Sequence, residues 1–280
     1  MAPTTFHIFR HAEGEHQMRD FPPMKRDADL TENGRRQCAE LCANLPPWAG
    51  RVKRVIASPM RRTLRTALIS FAPILADGKV IEAIPEITEA GSRISGFGSD
   101  PDELIACFSA NGEDRKINLS RLWAGWNPFD INSKFAYGAD KVRARCAEAR
   151  AELRQVAAET EAEAAREGNE EGAHVIVITH SVIAHFLTND YEGIAETGLS
   201  ISWDTNLLYR SFQFGSDPHR LIETPESRAR VGLPAVSTPA EQEKGRERIE
   251  ARMNRRQPII EADVRKAAEA EAKAKAKAQL

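Results

Sequence analysis

Arg10 and His11 close a short apolar run, Thr4-Thr5-Phe6-His7-Ile8-Phe9, and a second run, His174-Val175-Ile176-Val177-Ile178-Thr179, closes on His180. A neutral imidazole nitrogen can attack phosphorus when cations surround the equatorial oxygens of the group under attack. A guanidinium suits that work, because its planar fork holds phosphate bidentately and keeps its charge. Two histidines and an arginine, each placed where a strand gives way to a loop or helix, point to an anion pocket, with phosphate the first candidate. A third segment adds to this. Ser58-Pro59-Met60-Arg61-Arg62-Thr63-Leu64-Arg65-Thr66-Ala67 follows the run Val52-Lys53-Arg54-Val55-Ile56-Ala57 and starts a helix with arginines in its first turn. That makes a second anion cradle, aided by the helix N-terminus. Arg61 and Arg62 lie about 100° apart around the helix, so one alone can face His11.

The elements that must position these side chains alternate along the chain. Strands are expected at 4–9, 52–57, 79–84, 174–179 and 201–213, and helices at 31–44, 59–75, 101–109, 139–167 and 181–188. This alternation predicts the α/β class: a three-layer α/β/α fold with a mainly parallel central sheet. In such sheets ligands bind beyond the carboxyl ends of the strands. Thr31 is placed to cap the first helix, and Pro46-Pro47 stops it. The catalytic domain is expected over 1–215, with the glycine-rich stretch 86–135 as a lid-like insertion. Residues 216–280 read as a polar, charged C-terminal extension, helical or partly disordered, since Ala267 to Ala278 offers helix propensity and little to bury.

Composition narrows the classes. The chain has 280 residues and a formal charge of −2, so nothing global recruits nucleic acid or an anionic membrane. No apolar run approaches the roughly 20 residues needed to span a bilayer. The N-terminus lacks a basic region followed by an apolar one, so a cytoplasmic location is the expectation. Cys38, Cys42, Cys107 and Cys146 lack a framework spacing and read as small apolar residues. His7 and His11 have a zinc-like spacing, but their flanks read as strand, and no metal is expected. Gly96-Phe97-Gly98 is too short for a dinucleotide fingerprint.

At this point the chain resembles the histidine phosphatase superfamily (branch 1), the phosphoglycerate mutase-like proteins. Arg10-His11 matches the family's Arg-His-Gly, and Leu30-Thr31…Gly34…Gln37 its Leu-Thr-x-x-Gly-x-x-Gln. The block from Ser58 to Ala67 and Thr179-His180, for Thr-His-Gly, complete the set in family order over roughly residues 4–214. The fragment around Glu13, Gly14 and His16 is similar to a variant seen in fungal and plant phosphatase-like members, with Gln17 in the place of an Asn. Ala12 and Ser181 depart from the common glycines.

The resemblance implies a phosphoglycerate mutase-like fold and hydrolysis of a small phosphomonoester through a phosphohistidine on His11. It implies Arg10, Arg62 and a protonated His180 around the phosphate, no cofactor, and no metal ion. The proton donor is expected at Glu86, in Ile84-Pro85-Glu86, with Glu89 as the rival and Glu13 as a further option. Glu13, His16, Gln17 and Ser181 are candidates for substrate contact, although Ser181 reads first as a cap of the following helix. Arg93, Arg115, Lys116 and Arg121 are candidates for a second anionic subsite. A small phosphorylated metabolite is the expected partner, and a homo-oligomer is left open. The alternatives are a phosphomutase using the same phosphoenzyme and a catalytically weak phosphate-binding or scaffold homologue.

Overall fold

Seven strands form one sheet in the order β4-β3-β2-β5-β1-β6-β7 in the computed structural model, which describes residues 2–169, 171–217, 219–233 and 236–278. They are β1 Thr5–Arg10, β2 Val52–Ala57, β3 Ile81–Ala83, β4 Ile117–Asn118, β5 His174–Thr179, β6 Tyr209–Phe214 and β7 Leu221–Glu223. The first five are mutually parallel, while β6 and β7 add on antiparallel at one edge. β5 is buried along its whole length, which is why its sequence is an unbroken apolar run rather than an alternating one.

Helices cover both faces: α1 Glu32–Ala43, α2 Arg61–Ser70, α3 Ala72–Ala76, α4 Pro101–Ser109, α5 Ala139–Arg166, α6 Ser181–Thr188, α7 Pro225–Arg230 and α8 Pro239–Ala278. Side chains alternate across the sheet, as strand geometry requires. Phe6, Ile8, Val175 and Val177 face a core shared with α5, α6 and α8, whereas Phe9, Val55, Ile176 and Ile178 face one shared with α2, α3 and α4.

Register does the positioning. Arg10 of β1 stands opposite Thr179 of β5, and Ala57 of β2 opposite Ile178. The three chains therefore leave the sheet side by side: the amide of His11 donates to Thr179 O at 3.0 Å and that of Ser58 to Ile178 O at 2.9 Å.

Two expected boundaries differ, and the insertion packs more firmly than its composition suggests. The helix expected over 59–75 is broken at Phe71 into α2 and α3, because Pro73 has no N–H to continue the ladder. The last expected strand begins at Tyr209, since Leu207, at φ 56°, turns the chain before it. The stretch 86–135 is anchored rather than loose: Phe97, Trp126 and Phe135 are buried, and the Trp126 indole donates to Ser99 O at 2.9 Å.

The extension 216–280 is part of the packed body. β7 extends the sheet, and α8 buries Ile249, Met253, Ile260, Val264 and Ala267 in the core beside α5. Gly245 allows the approach, because a Cβ there would strike the carbonyl oxygen of Tyr191. The positions of the extension at 218, 234–235 and 279–280 lie outside the described residues. Among the described residues no helix is long and apolar enough to cross a membrane.

Candidate active site

His11 lies just past β1 and is buried, 1% exposed. Its Nδ1 lies 2.7 Å from Ala12 O. A carbonyl oxygen only accepts, so Nδ1 carries the proton and Nε2 keeps its lone pair. The Nε–H of Arg62 points at that Nε2 across 3.3 Å. Burial first, and then the charge of Arg62, hold the His11 pKa well below the ordinary 6.5. The ring is therefore neutral, with Nε2 unprotonated and accepting from Arg62.

Arg62 is delivered by the start of α2. The carboxylate of buried Asp27 accepts the Arg61 amide at 2.9 Å and the Ser99 amide at 2.9 Å, fixing where the helix begins. Arg61 turns outward, its Nε 3.7 Å from Asp27. Arg65 pairs with Asp29 at 2.8 Å and lies over the Phe108 ring, so it is engaged rather than solvated. Arg62 alone of the three turns inward. It is fully buried, with Nη1 donating to Ser95 O at 3.2 Å.

His180 follows β5, and its ring centroid lies 5.2 Å from that of His11. Its Nε2 lies 2.9 Å from Ser58 Oγ, and its Nδ1 lies 3.3 Å from Arg62 Nη2. Burial, then Arg62, then His11 depress its pKa well below 6.5. The resemblance implied a protonated His180; burial first, and then the cations around it, favour the neutral ring. A bound dianion acts in the opposite sense.

The carboxylate in this group is Glu89. Its Oε2 lies 3.4 Å from both Arg62 Nη2 and His180 Nδ1. Glu86, the first choice from the sequence, is directed elsewhere: Lys134 Nζ is 3.0 Å from one of its oxygens and Arg121 3.6 Å from the other. The cause is the 3-10 turn Pro85–Ile87, pinned by buried Arg145, which donates to the carbonyls of Glu86 and Thr88 at 2.6 Å each. Glu89, beyond that turn, is the residue brought back to the histidines.

Ligand atoms of His11, Glu89 and His180 lie within 4.8 Å of one another, the one trio among the described residues spaced to hold a metal ion. The Arg62 guanidinium sits among the same atoms, which opposes a cation and favours a tetrahedral anion.

The other candidates divide. Arg10 reaches the site's mouth but gives Nη1 to the carbonyls of Trp203, at 3.0 Å, and Asp204. Glu13 is engaged in the fold: Thr31 Oγ1 donates to its carboxylate at 2.6 Å and Asn33 at 3.1 Å. Leu30-Thr31…Gly34…Gln37 thus has a visible job, with Gln37 accepting the Glu13 amide at 2.9 Å and Gly34 leaving room for the Glu13 carbonyl. Thr31 also caps α1 by accepting the Gly34 amide.

His16 covers His11, with ring centroids 5.5 Å apart, and is pushed down to about 2 by burial, Arg62 and Arg10. Gln17 accepts the Gly14 amide at 3.0 Å. Ser181 makes no cap; the N-cap of α6 is His180. Arg10, His16, Gln17 and Ser181 line one cavity of about 380 Å³ together with Arg252 and Arg256 of α8. Those two arginines escaped sequence reading because their segment looked solvated. The signal was the stripe Ile249, Met253, Ile260, Val264 and Ala267, whose spacing buries one helix face. Of the proposed subsite cations in the insertion only Arg93 lines this cavity; Arg121 pairs with Glu152, and Arg115 and Lys116 lie on the 3-10 turn leading to β4.

Residues 6–89 match the model described as histidine phosphatase superfamily (branch 1). Among solved structures, YhfR of Bacillus stearothermophilus is similar at 18% identity and TM-score 0.41, covering 80% of this chain and 96% of that one. A mycobacterial glucosyl-3-phosphoglycerate phosphatase in complex with VO3 is similar at 17% identity and TM-score 0.44, covering 80% and 98%. A phosphoglycerate mutase from Bacillus anthracis is similar at 14% identity and TM-score 0.43, covering 79% and 91%. No curated protein matches.

Proposed function

We propose that this chain, a histidine phosphatase superfamily member by its residues 6–89, hydrolyses a phosphomonoester through a phosphohistidine on His11. The observation that carries the reading is the tautomer of His11: the backbone fixes the proton on Nδ1, and the unprotonated Nε2 accepts from the Arg62 Nε–H, a donor that an arriving phosphoryl group would take over.

The lone pair of His11 Nε2 attacks phosphorus in line, and the bond from phosphorus to the ester oxygen breaks. Arg62 and His180, with Arg10 at the mouth, donate N–H groups to the equatorial oxygens and offset the charge developing there. Glu89, in its protonated form, gives its proton to the departing alkoxide. Water then attacks the phosphohistidine and passes a proton to the Glu89 carboxylate. The phosphorus–nitrogen bond breaks, and free His11 and inorganic phosphate result. Burial keeps His11 neutral and ready, so no proton need leave it before attack.

The test is turnover of phenyl phosphate together with trapping of labelled enzyme. Wild type should release phosphate, be inhibited by vanadate, and yield an acid-labile, base-stable phosphoryl adduct on quenching. His11→Ala should lose the adduct and at least about 10³-fold in rate. Wild-type turnover in that variant would overturn the role of His11. Transfer of label to an added alcohol phosphate rather than to water would replace the hydrolase with a mutase.

A further inference from the structure

The long C-terminal helix does more than close the core. Of its arginines, Arg246 pairs with Glu243 and Arg248 pairs with Glu196, as surface arginines commonly do. Arg252 and Arg256 differ. They lie one helical turn apart, half-buried, and line the cavity that begins at Arg10 and His16. Neither forms an ion pair among the described residues. On the facing wall is Arg93, which donates to His16 O at 3.2 Å and has no acidic partner among the described residues either.

The cavity wall thus carries Arg10, Arg93, Arg252 and Arg256 against the carboxylate of Asp204, itself an exposed loop residue 3.8 Å from Arg10. Drawing four guanidinium groups into a half-enclosed space with one exposed carboxylate, which pairs with Arg10, costs stability through repulsion and partial desolvation. A neutral side chain at either helical position would avoid that cost, so the arrangement makes sense when an anion arrives with the substrate. The nucleophile's own pocket already has Arg62 and His180 for the reacting phosphoryl group. The outer arginines are left for a second charge.

We propose that Arg252 and Arg256 of α8, with Arg93, form a second anion subsite, and that the substrate is a phosphomonoester bearing another phosphate or carboxylate. The inference rests on the phosphatase reading of the same site. His16 ties the two regions together, since it lines the outer cavity and its ring, tilted by 58°, lies 5.5 Å from that of His11. The cavity, about 380 Å³, has room for a small metabolite between the two ends. The helix is held in place independently of any ligand, by the buried stripe through Ile249, Met253 and Ile260. Specificity is therefore fixed from a segment far from the catalytic motifs in sequence.

The experiment compares phenyl phosphate with propane-1,3-diol bisphosphate and 3-phosphooxypropanoate, by turnover and by calorimetric binding to the full chain. Wild type should prefer the doubly anionic compounds by at least about tenfold in kcat/KM, with the preference carried in KM. Arg252→Gln and Arg256→Gln should each cut that ratio about tenfold, and Arg252→Lys should retain part of it. Melting curves confirm folding, and Arg93→Gln on the other wall supplies the same readout should the helix variants unfold. Equal handling of the one- and two-anion compounds, or a preference surviving in every variant, overturns the subsite. If phenyl phosphate and both doubly anionic compounds are all inert with wild type, the phosphatase reading fails instead. Calorimetry then decides the subsite alone: bisphosphate binding that does not weaken in Arg252→Gln rejects it.

Discussion

The Nε–H of Arg62 points at Nε2 of His11 across 3.3 Å, on the ring whose other nitrogen is committed to Ala12 O. One contact therefore fixes both the tautomer's free face and the charge that meets an incoming phosphate. It also sets a pH signature. A histidine with its pKa held well below 6.5 stays neutral as the solution is acidified past that value. With a nitrophenyl phosphate, whose leaving group needs little help from Glu89, the rate of phosphoenzyme formation should show no loss attributable to His11 as pH falls from 8 past 6.5. Rapid-quench measurement across that range checks this, and an inflection at 6.5 assignable to His11 would contradict it.

Replacing Arg62 tests the cation itself. Arg62→Ala should lower kcat/KM by about 10²- to 10³-fold, the scale of losing a preorganised donor to developing charge. Arg62→Lys should recover little, because a buried ammonium cannot reach His11, Ser95 O and Glu89 with one planar group. Steady-state kinetics on phenyl phosphate, with melting temperatures beside them, separate lost catalysis from lost folding.

The proton donor is separable from its rival by leaving group. Glu89→Gln should slow an alkyl phosphate by about 10²-fold or more, since its alkoxide must be protonated, and slow a nitrophenyl phosphate far less. Glu86→Gln should alter both rates by less than about threefold. Its effect should be on stability, through the loss of the Lys134 and Arg121 pairs. Equal sensitivity of the two substrates in Glu89→Gln would remove it from the role.

Much of this arrangement is legible in the chain because its causes are local. The runs 4–9, 52–57 and 174–179 read as strands from composition alone, and their parallel pairing brings the three residues that follow them together. Which of Glu86 and Glu89 lies beside the histidines is not a local matter. It is made by Arg145, 56 residues on from Glu89, which grips the intervening carbonyls from α5. Nor was α8 readable as a cavity wall: its polar composition hides a five-residue stripe, and only docking on the core turns Arg252 and Arg256 toward the site. What sequence misses here is decided by which buried face meets which partner.

Gly34 tests how the second motif supports the first. A Cβ at that position would strike the carbonyl oxygen of Glu13, two residues from the nucleophile. Gly34→Ala raises the helix propensity of α1, so any loss comes from the collision. Stability should fall by about 1–3 kcal/mol, the usual scale of overpacking. Because the displaced backbone carries His11, kcat should drop about 10- to 100-fold even where the variant is folded. Urea midpoints and single-turnover rates measure the two effects separately; a folded variant with wild-type rate would show that the motif does not position the loop.

Histidines away from the site add to the acid sensitivity that the buried histidines of the site already confer. His7 stacks on Trp48 at 3.6 Å, with Nδ1 2.9 Å from Ser211 Oγ and Nε2 2.9 Å from His174 Nδ1. Burial, then the neighbouring charge of His174, pushes His7 down to about 2, and burial with Arg51 pushes His174 down to about 4. Only one of the two facing nitrogens can carry the proton, so protonating both rings breaks their bond. Unfolded, both rings bind protons near 6.5; folded, they refuse them until far lower pH. Stability is therefore full above 6.5 and declines as pH falls toward 4, by about 1.4 kcal/mol per pH unit for one fully buried histidine. Urea unfolding should show a clearly lower midpoint at pH 5 than at pH 7.5. His7→Leu should be less stable at pH 7.5, because Ser211 and His174 lose a partner, yet its midpoint should vary less with pH. An unchanged pH slope in that variant would place the acid sensitivity elsewhere.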